Sequence, residues 1–239
     1  MSVSNILRYT FLGLAALEIL AEIMGHRSLV VWVKPLLMPT LGGWLFFATK
    51  HRPPAFLRRT VLAGLGFSTA GDTLLLFADG SSGALFFILG LGAFLLAHLC
   101  YIGGFQSIAG FKNGYLGRQP VVILPFVLFL CFFLWYLYPG IQKGMGGPVN
   151  LYAVVITAMA LSAWNTKSKV DNTVFFSLLS GALLFMLSDS LIAINKFRVP
   201  LPAAGFWIMI TYLAGQYLIV RGVAHFLAPR DTTLTSQNQ

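Results

Sequence analysis

Two carboxyl groups sit where a bilayer core would hold them. Asp72 lies near the middle of the apolar run "FSTAGDTLLLF", residues 67–77, and Asp189 lies inside "LLFMLSDSLIAINKF", residues 183–197. A lone carboxyl in such a run fits a packing role, bonded to a hydroxyl across a helix interface. Ser68 lies one turn before Asp72, and Ser188 and Ser190 flank Asp189, so partners exist. Two carboxyls in matched contexts point to chemistry. In a low-dielectric site two neighbouring carboxyls do not both ionise easily, so one keeps its proton while the other is charged. Such a pair supplies an acid on one side of a substrate, and on the other a group that stabilises a cation or activates water.

Other ionisable residues join them. Glu18 and Glu22 are spaced i, i+4 and share a helix face. Lys34 begins "KPLLMP"; its ammonium either snorkels to the interface, pairs with a carboxylate or binds a phosphate headgroup. Pro35 and Pro39 kink the helix there or free carbonyls toward a cavity. Lys196 follows Asp189 by seven residues, two turns along one face and roughly 10 Å away if the helix continues. That distance excludes direct pairing and suits a ligand with an anionic group two turns above its reacting atom. Lys196 and Arg198 also fit plain interfacial anchoring. His98 is expected in a hydrogen-bonded packing role, since a single His is no metal site. Asn195, Tyr101, Tyr152 and Gln216 are candidates to line a cavity. Cys100 and Cys131 sit in apolar runs as small hydrophobes, and no Cys/His spacing suggests a metal.

The elements that must position these groups are transmembrane helices. The 239 residues are 57% hydrophobic and only 10% charged, with mean hydropathy +0.80; a soluble domain carries about 25% charged residues. The apolar runs do not alternate as barrel strands do. An all-α polytopic bundle of eight spans is expected, at roughly 5–24, 29–48, 57–78, 83–106, 120–138, 149–165, 173–194 and 203–227. It forms a single transmembrane domain over residues 1–230, followed by a polar tail, 231–239, read as disordered. The first run reads as a retained helix, not a cleaved signal peptide. The net charge of +9 does not indicate nucleic acid, because the bases fall in short loops. Arg8, Lys50, Arg52, Arg58, Arg59, Lys112, Arg118, Lys167, Lys169 and Arg230 share one side; Arg27, Lys143, Lys196 and Arg198 share the other. Ten against four places both termini in the cytoplasm. Glu18, Glu22, Lys34, Asp72, Asp189, Lys196 and Arg198 then gather in the outer half, around one polar cavity. "AGDTLLLF" and "LSDSLIAI" also match in pattern, as do "LAHLCYI" and "LAGQYLI", which suggests a four-plus-four repeat of parallel orientation.

"KPLLMP", "GDTLLL", "FLLAHLCYI" and "LSDSLIAINKF", in order and correctly spaced, resemble the lysoplasmalogenase family of YhhN-like membrane proteins over residues 10–225. The resemblance implies hydrolysis of the vinyl-ether bond of lysoplasmalogens to a fatty aldehyde and glycerophosphocholine or glycerophosphoethanolamine. It makes Asp72 and Asp189 the expected catalytic pair, with no metal or organic cofactor. Lys34, Lys196 and Arg198 become candidates for the substrate phosphate, with Glu22 tuning the site and Asn195 and Tyr152 near it. The alkenyl chain would lie between apolar helix faces. Protonating the vinyl β-carbon gives an oxocarbenium ion, which water captures; one Asp is the acid and the other stabilises the cation, as in glycosidases. Which is which is open. The expected home is a bacterial cytoplasmic membrane or, in a eukaryote, an internal membrane such as the endoplasmic reticulum. The headgroup preference and the oligomeric state are not legible.

Three alternatives remain at this level. A proton-coupled transporter also uses Asp pairs. A catalytically silent lipid-binding member would keep the fold. An intramembrane aspartyl protease would resemble G-x-G-D with P-A-L, whereas Thr69, Ala70 and Gly71 precede Asp72 and no "PAL" occurs.

Overall fold

The structure is a computed structural model that describes residues 2–52, 55–78, 82–110 and 113–228. Lys112, Arg230 and the tail 231–239 lie outside the described residues. Within these residues there is no strand. The helices are α1 (Val3–Met24), α2 (Arg27–Thr49), α3 (Phe56–Leu75), α4 (Gly83–Ala109), the single turn α5 (Tyr115–Arg118), α6 (Ile123–Leu137), α7 (Gly146–Asn165), α8 (Asn172–Phe197) and α9 (Ala204–Phe226). Each long helix falls on one expected span, with ends shifted by a few residues. Six of these segments are long and apolar enough to cross a membrane: α2, α4, residues 120–140 around α6, 146–168 around α7, α8 and α9. α1 and α3 carry ionisable residues, Arg8, Glu18 and Glu22 on one, Arg58, Arg59 and Asp72 on the other. Both pack directly on α2.

Local chemistry sets several boundaries. The Asn5 amide donates to Ser2 Oγ at 3.3 Å at the start of α1, and Gly25 ends it in the left-handed region at φ 69°. The Val174 amide donates to Asp171 Oδ1 at 2.9 Å and opens α8. α2 runs unbroken through Pro35 and Pro39. α8 continues past its expected end at 194 to Phe197, so Lys196 is helical.

The helices close a ring: α1 on α2, α2 on α3, α3 on α4, α4 on α7, α7 on α8, α8 on α9, and α9 back on α1. α6 stands outside this ring, mainly against α7. The tightest pairs are α3 with α4 and α8 with α9, the four segments with matching sequence. Glycines allow these approaches. A Cβ on Gly71 would lie 2.6 Å from the Phe94 ring, and one on Gly181 would lie 2.8 Å from the Gly215 carbonyl oxygen. Lipid tails are as apolar as leucine, so such close packing, not hydrophobic expulsion, holds spans together. The main core includes Phe11, Leu41, Leu65, Phe105, Leu178 and Phe185. A smaller apolar cluster, Phe87, Leu137, Val149 and Phe197, sits toward the end of the bundle nearest the aspartates.

Candidate active site

Every helix of the ring sends polar side chains toward one end of the bundle: Glu18 and Glu22 from α1, Lys34 from α2, Asp72 from α3, His98 from α4, Tyr152 from α7, Asp189 from α8 and Tyr212 from α9. Asp72 and Asp189 are buried, 4% and 7% exposed, and line the same cavity of about 50 Å³ together with Lys34, Leu75, Phe94 and Tyr212. A water needs roughly 10–15 Å³ of such space, so the cavity has room for a reactive water.

The two carboxyls are held differently. Asp189 Oδ2 lies 2.9 Å from His98 Nε2, within hydrogen-bond distance, and accepts a hydrogen bond from the Tyr152 hydroxyl. His98 Nε2 and the Tyr152 oxygen lie 3.1 Å apart. Asp72 Oδ2 accepts one bond, from the Tyr212 hydroxyl at 2.7 Å. Phe185 stands between the two arrangements, its ring centroid 4.6 Å from that of His98 and 5.3 Å from that of Tyr212.

The serines expected beside the aspartates bond elsewhere. Ser68 accepts from Gln216 Nε2 at 3.0 Å, and Gln216 Oε1 accepts from the Tyr101 hydroxyl at 2.7 Å. Ser188 donates to the Ile208 carbonyl at 3.0 Å and Ser190 to the Met186 carbonyl at 2.7 Å. Serine hydroxyls in a helix reach nearby main-chain oxygens easily. The longer tyrosine and histidine side chains span the helix gaps to the carboxyls.

Lys34 pairs with carboxylates, its Nζ 3.3 Å from Glu22 and 3.5 Å from Glu18, which is fully buried. Glu22 borders a polar vestibule that also includes Arg27, Lys34 and Leu75. Lys196, Arg198 and Asn195 lie at the exposed end of α8, and none of them lines the cavity between the aspartates. Lys196 Nζ is 4.9 Å from the Phe87 ring centroid and Arg198 is 5.3 Å from that of Tyr136. Asn195 Oδ1 accepts from the Leu201 amide at 2.8 Å, fixing the turn into α9. Tyr152 does reach the site, through Asp189. His98 is buried and hydrogen-bonded, as its expected packing role allows, and its partner is Asp189. Tyr212 is not among the residues singled out from the sequence. A signal existed for Tyr212, because a tyrosine in mid-span needs a partner for its hydroxyl.

An apolar slot runs from this centre. Phe87, Leu91, Phe133, Leu137, Val149 and Ala153 are among its walls, and Asp189 and Tyr152 are among its polar lining. Leu75 lines the slot, the cavity and the vestibule alike. The three spaces therefore border one another at the end of α3. Among the described residues no three His, Cys, Asp or Glu side chains are placed to share a metal ion.

The chain resembles known proteins in sequence. Residues 29–223 match the model of the YhhN family. The chain is 30% identical over 203 residues to a lysoplasmalogenase of Mycobacterium bovis, covering 84% of this chain and 73% of that protein. It is 30% identical over 200 residues to lysoplasmalogenase TMEM86A of Bos taurus, covering 79% and 77%. With lysoplasmalogenase TMEM86B of Homo sapiens it shares 29% identity over 198 residues, covering 83% and 76%. No solved structure matches it.

Proposed function

The chain belongs to the YhhN family, and on that premise we propose that it is an integral-membrane hydrolase acting on lysoplasmalogens. It cleaves their vinyl-ether bond to release a fatty aldehyde and glycerophosphocholine or glycerophosphoethanolamine. One observation carries the mechanism: two buried aspartates face one small cavity that adjoins both a polar vestibule and an apolar slot. A vinyl ether needs a positioned acid for its β-carbon and a negative group beside the cation that follows. One aspartate serves as the acid, and the other stabilises the oxocarbenium ion and orients the water. The alkenyl chain lies in the slot. The headgroup lies in the vestibule, where Glu22 and Lys34 contact it, with Lys196 and Arg198 as further phosphate contacts at the rim. The reaction takes place in the cytoplasmic membrane of a bacterium or an internal membrane such as the endoplasmic reticulum of a eukaryote.

Purified protein in detergent tests this with three substrates: a lysoplasmalogen, its saturated ether analogue and an acyl lysophospholipid. Aldehyde is expected from the vinyl ether alone. Asp72→Asn and Asp189→Asn are each expected to cut its release at least roughly 100-fold, as loss of a general acid or base does, with the fold retained. Full activity in either folded variant removes the two-aspartate mechanism.

A further inference from the structure

Resting on the lysoplasmalogen reading above, we propose a division of labour. Asp189 is the aspartate that remains a carboxylate, with His98 and Tyr152 as its positioning residues, and Asp72 gives the proton.

The two sites are built unequally. Two groups converge on the single oxygen Oδ2 of Asp189 from α4 and α7: the Tyr152 hydroxyl, which donates, and His98 Nε2, which donates in the tautomer that carries its proton there. Bonds from donors to an ionised oxygen are shorter and roughly twice as strong as those between neutral groups. Converging donors therefore favour the charged form. Asp72 receives one donor, Tyr212. Among the described residues Oδ1 of each aspartate receives no hydrogen bond, while both side chains line the cavity. A proton on Asp72 Oδ1 is then presented to the substrate without breaking a bond.

The neighbouring groups are consistent with this. Lys34 approaches the cavity from α2, but its ammonium already bridges Glu18 and Glu22 of α1. His98 is fully buried and its Nδ1 has no partner. The tautomer with its proton on Nε2 satisfies the bond to Asp189 and leaves only a lone pair unmet. In that tautomer His98 acts on Asp189 as a positioning residue.

The cycle balances with these roles. Asp72 transfers its proton to the vinyl β-carbon, and positive charge spreads over the adjacent carbon and the ether oxygen beside Asp189. Water adds to that carbon and its proton passes to Asp189. In the hemiacetal Asp189 returns the proton to the ether oxygen as the C–O bond breaks, and the hydroxyl proton passes to Asp72. Aldehyde and glycerophospho-alcohol leave, and both aspartates are back in their starting states.

The test is the pH dependence of kcat and KM for the full chain in detergent. It compares wild type with Tyr152→Phe, His98→Phe, His98→Gln and Tyr212→Phe. Wild-type aldehyde release checks the underlying reading first, and its absence overturns both. In a bell-shaped profile the low-pH limb belongs to the group that must be ionised and the high-pH limb to the one that must carry a proton. Tyr152→Phe and His98→Phe are expected to displace only the low-pH limb. They should lower kcat roughly 10- to 100-fold with KM changed less than about threefold, the pattern of an interaction made in the transition state. His98→Gln, which keeps an N–H donor, should recover most of the rate. Tyr212→Phe should displace only the high-pH limb. The opposite pairing of variants and limbs would make Asp189 the acid and overturn the assignment. Unchanged kcat and limbs in both Tyr152→Phe and His98→Phe would reduce the pair to packing residues and overturn it equally.

Discussion

Glu18 is a carboxyl group with no exposure, and the ammonium of Lys34, 3.5 Å away, is its counter-charge. Removing one partner of a buried pair leaves an uncompensated charge and costs about 3–5 kcal/mol, whereas replacing both by apolar groups is often neutral. Lys34→Met is therefore expected to lower stability in detergent by about that amount, and Glu18→Leu with Lys34→Met to restore most of it, since Glu22, the other partner of Lys34, is 21% exposed. Denaturant unfolding of the three proteins measures this, and equal stability of Lys34→Met and wild type would show that the pair is solvated. Single-residue signals were legible in the sequence where spacing alone places groups together. Glu18 and Glu22 share a helix face by their i, i+4 register, and pairing was among the roles open to Lys34. The clamp on Asp189 was not legible. It joins residues 91 and 37 positions apart, and a lone mid-span histidine carries no mark that separates a carboxylate partner from a packing role.

The elements were easier to read, because runs of apolar residues report length directly. Every expected span became a helix, and the main deviations are at ends: α3 stops at Leu75, and α8 runs on through Lys196. Hydropathy does not report which helix stays outside the ring. α6 does, and it contributes Phe133 and Leu137 to the apolar slot opposite Ala153 of α7. On the proposed function, a tail moving from lipid or detergent into this slot would exchange one apolar medium for another, so the slot would select by shape more than by hydrophobic gain. Ala153→Phe fills it from the α7 side. The expected result is a shift toward shorter alkenyl chains. kcat/KM for long chains should fall on the order of tenfold, equivalent to about 1.4 kcal/mol, with the shortest substrates little changed. A chain-length series checks this, and a uniform loss across the series would place the tail elsewhere.

At the scale of the whole molecule, the basic residues that suggest orientation are also built into the packing of the end opposite the aspartates. Arg8 Nε donates to the Tyr217 hydroxyl at 2.9 Å and its guanidinium lies 5.5 Å from the Trp44 ring centroid. Arg58, only 9% exposed, donates to the Thr49 carbonyl at 2.7 Å. Lys167 sits 4.7 Å from the Tyr115 ring centroid. These contacts fix the charges at the bundle end where the positive-inside rule puts the cytoplasm, and they leave the polar cavity, Lys143 and Arg198 on the other side. Because Arg8 and Arg58 serve packing as well as topology, neutralising them would confound the two effects, and labelling is the cleaner probe. In a background with Cys100 and Cys131 replaced by alanine, a cysteine at Lys143 is expected to react with an impermeant maleimide in intact cells. One at Arg52 should react only after permeabilisation. The reverse pattern would place both termini outside and turn the cavity toward the cytoplasm, so that the substrate would have to be drawn from the inner leaflet.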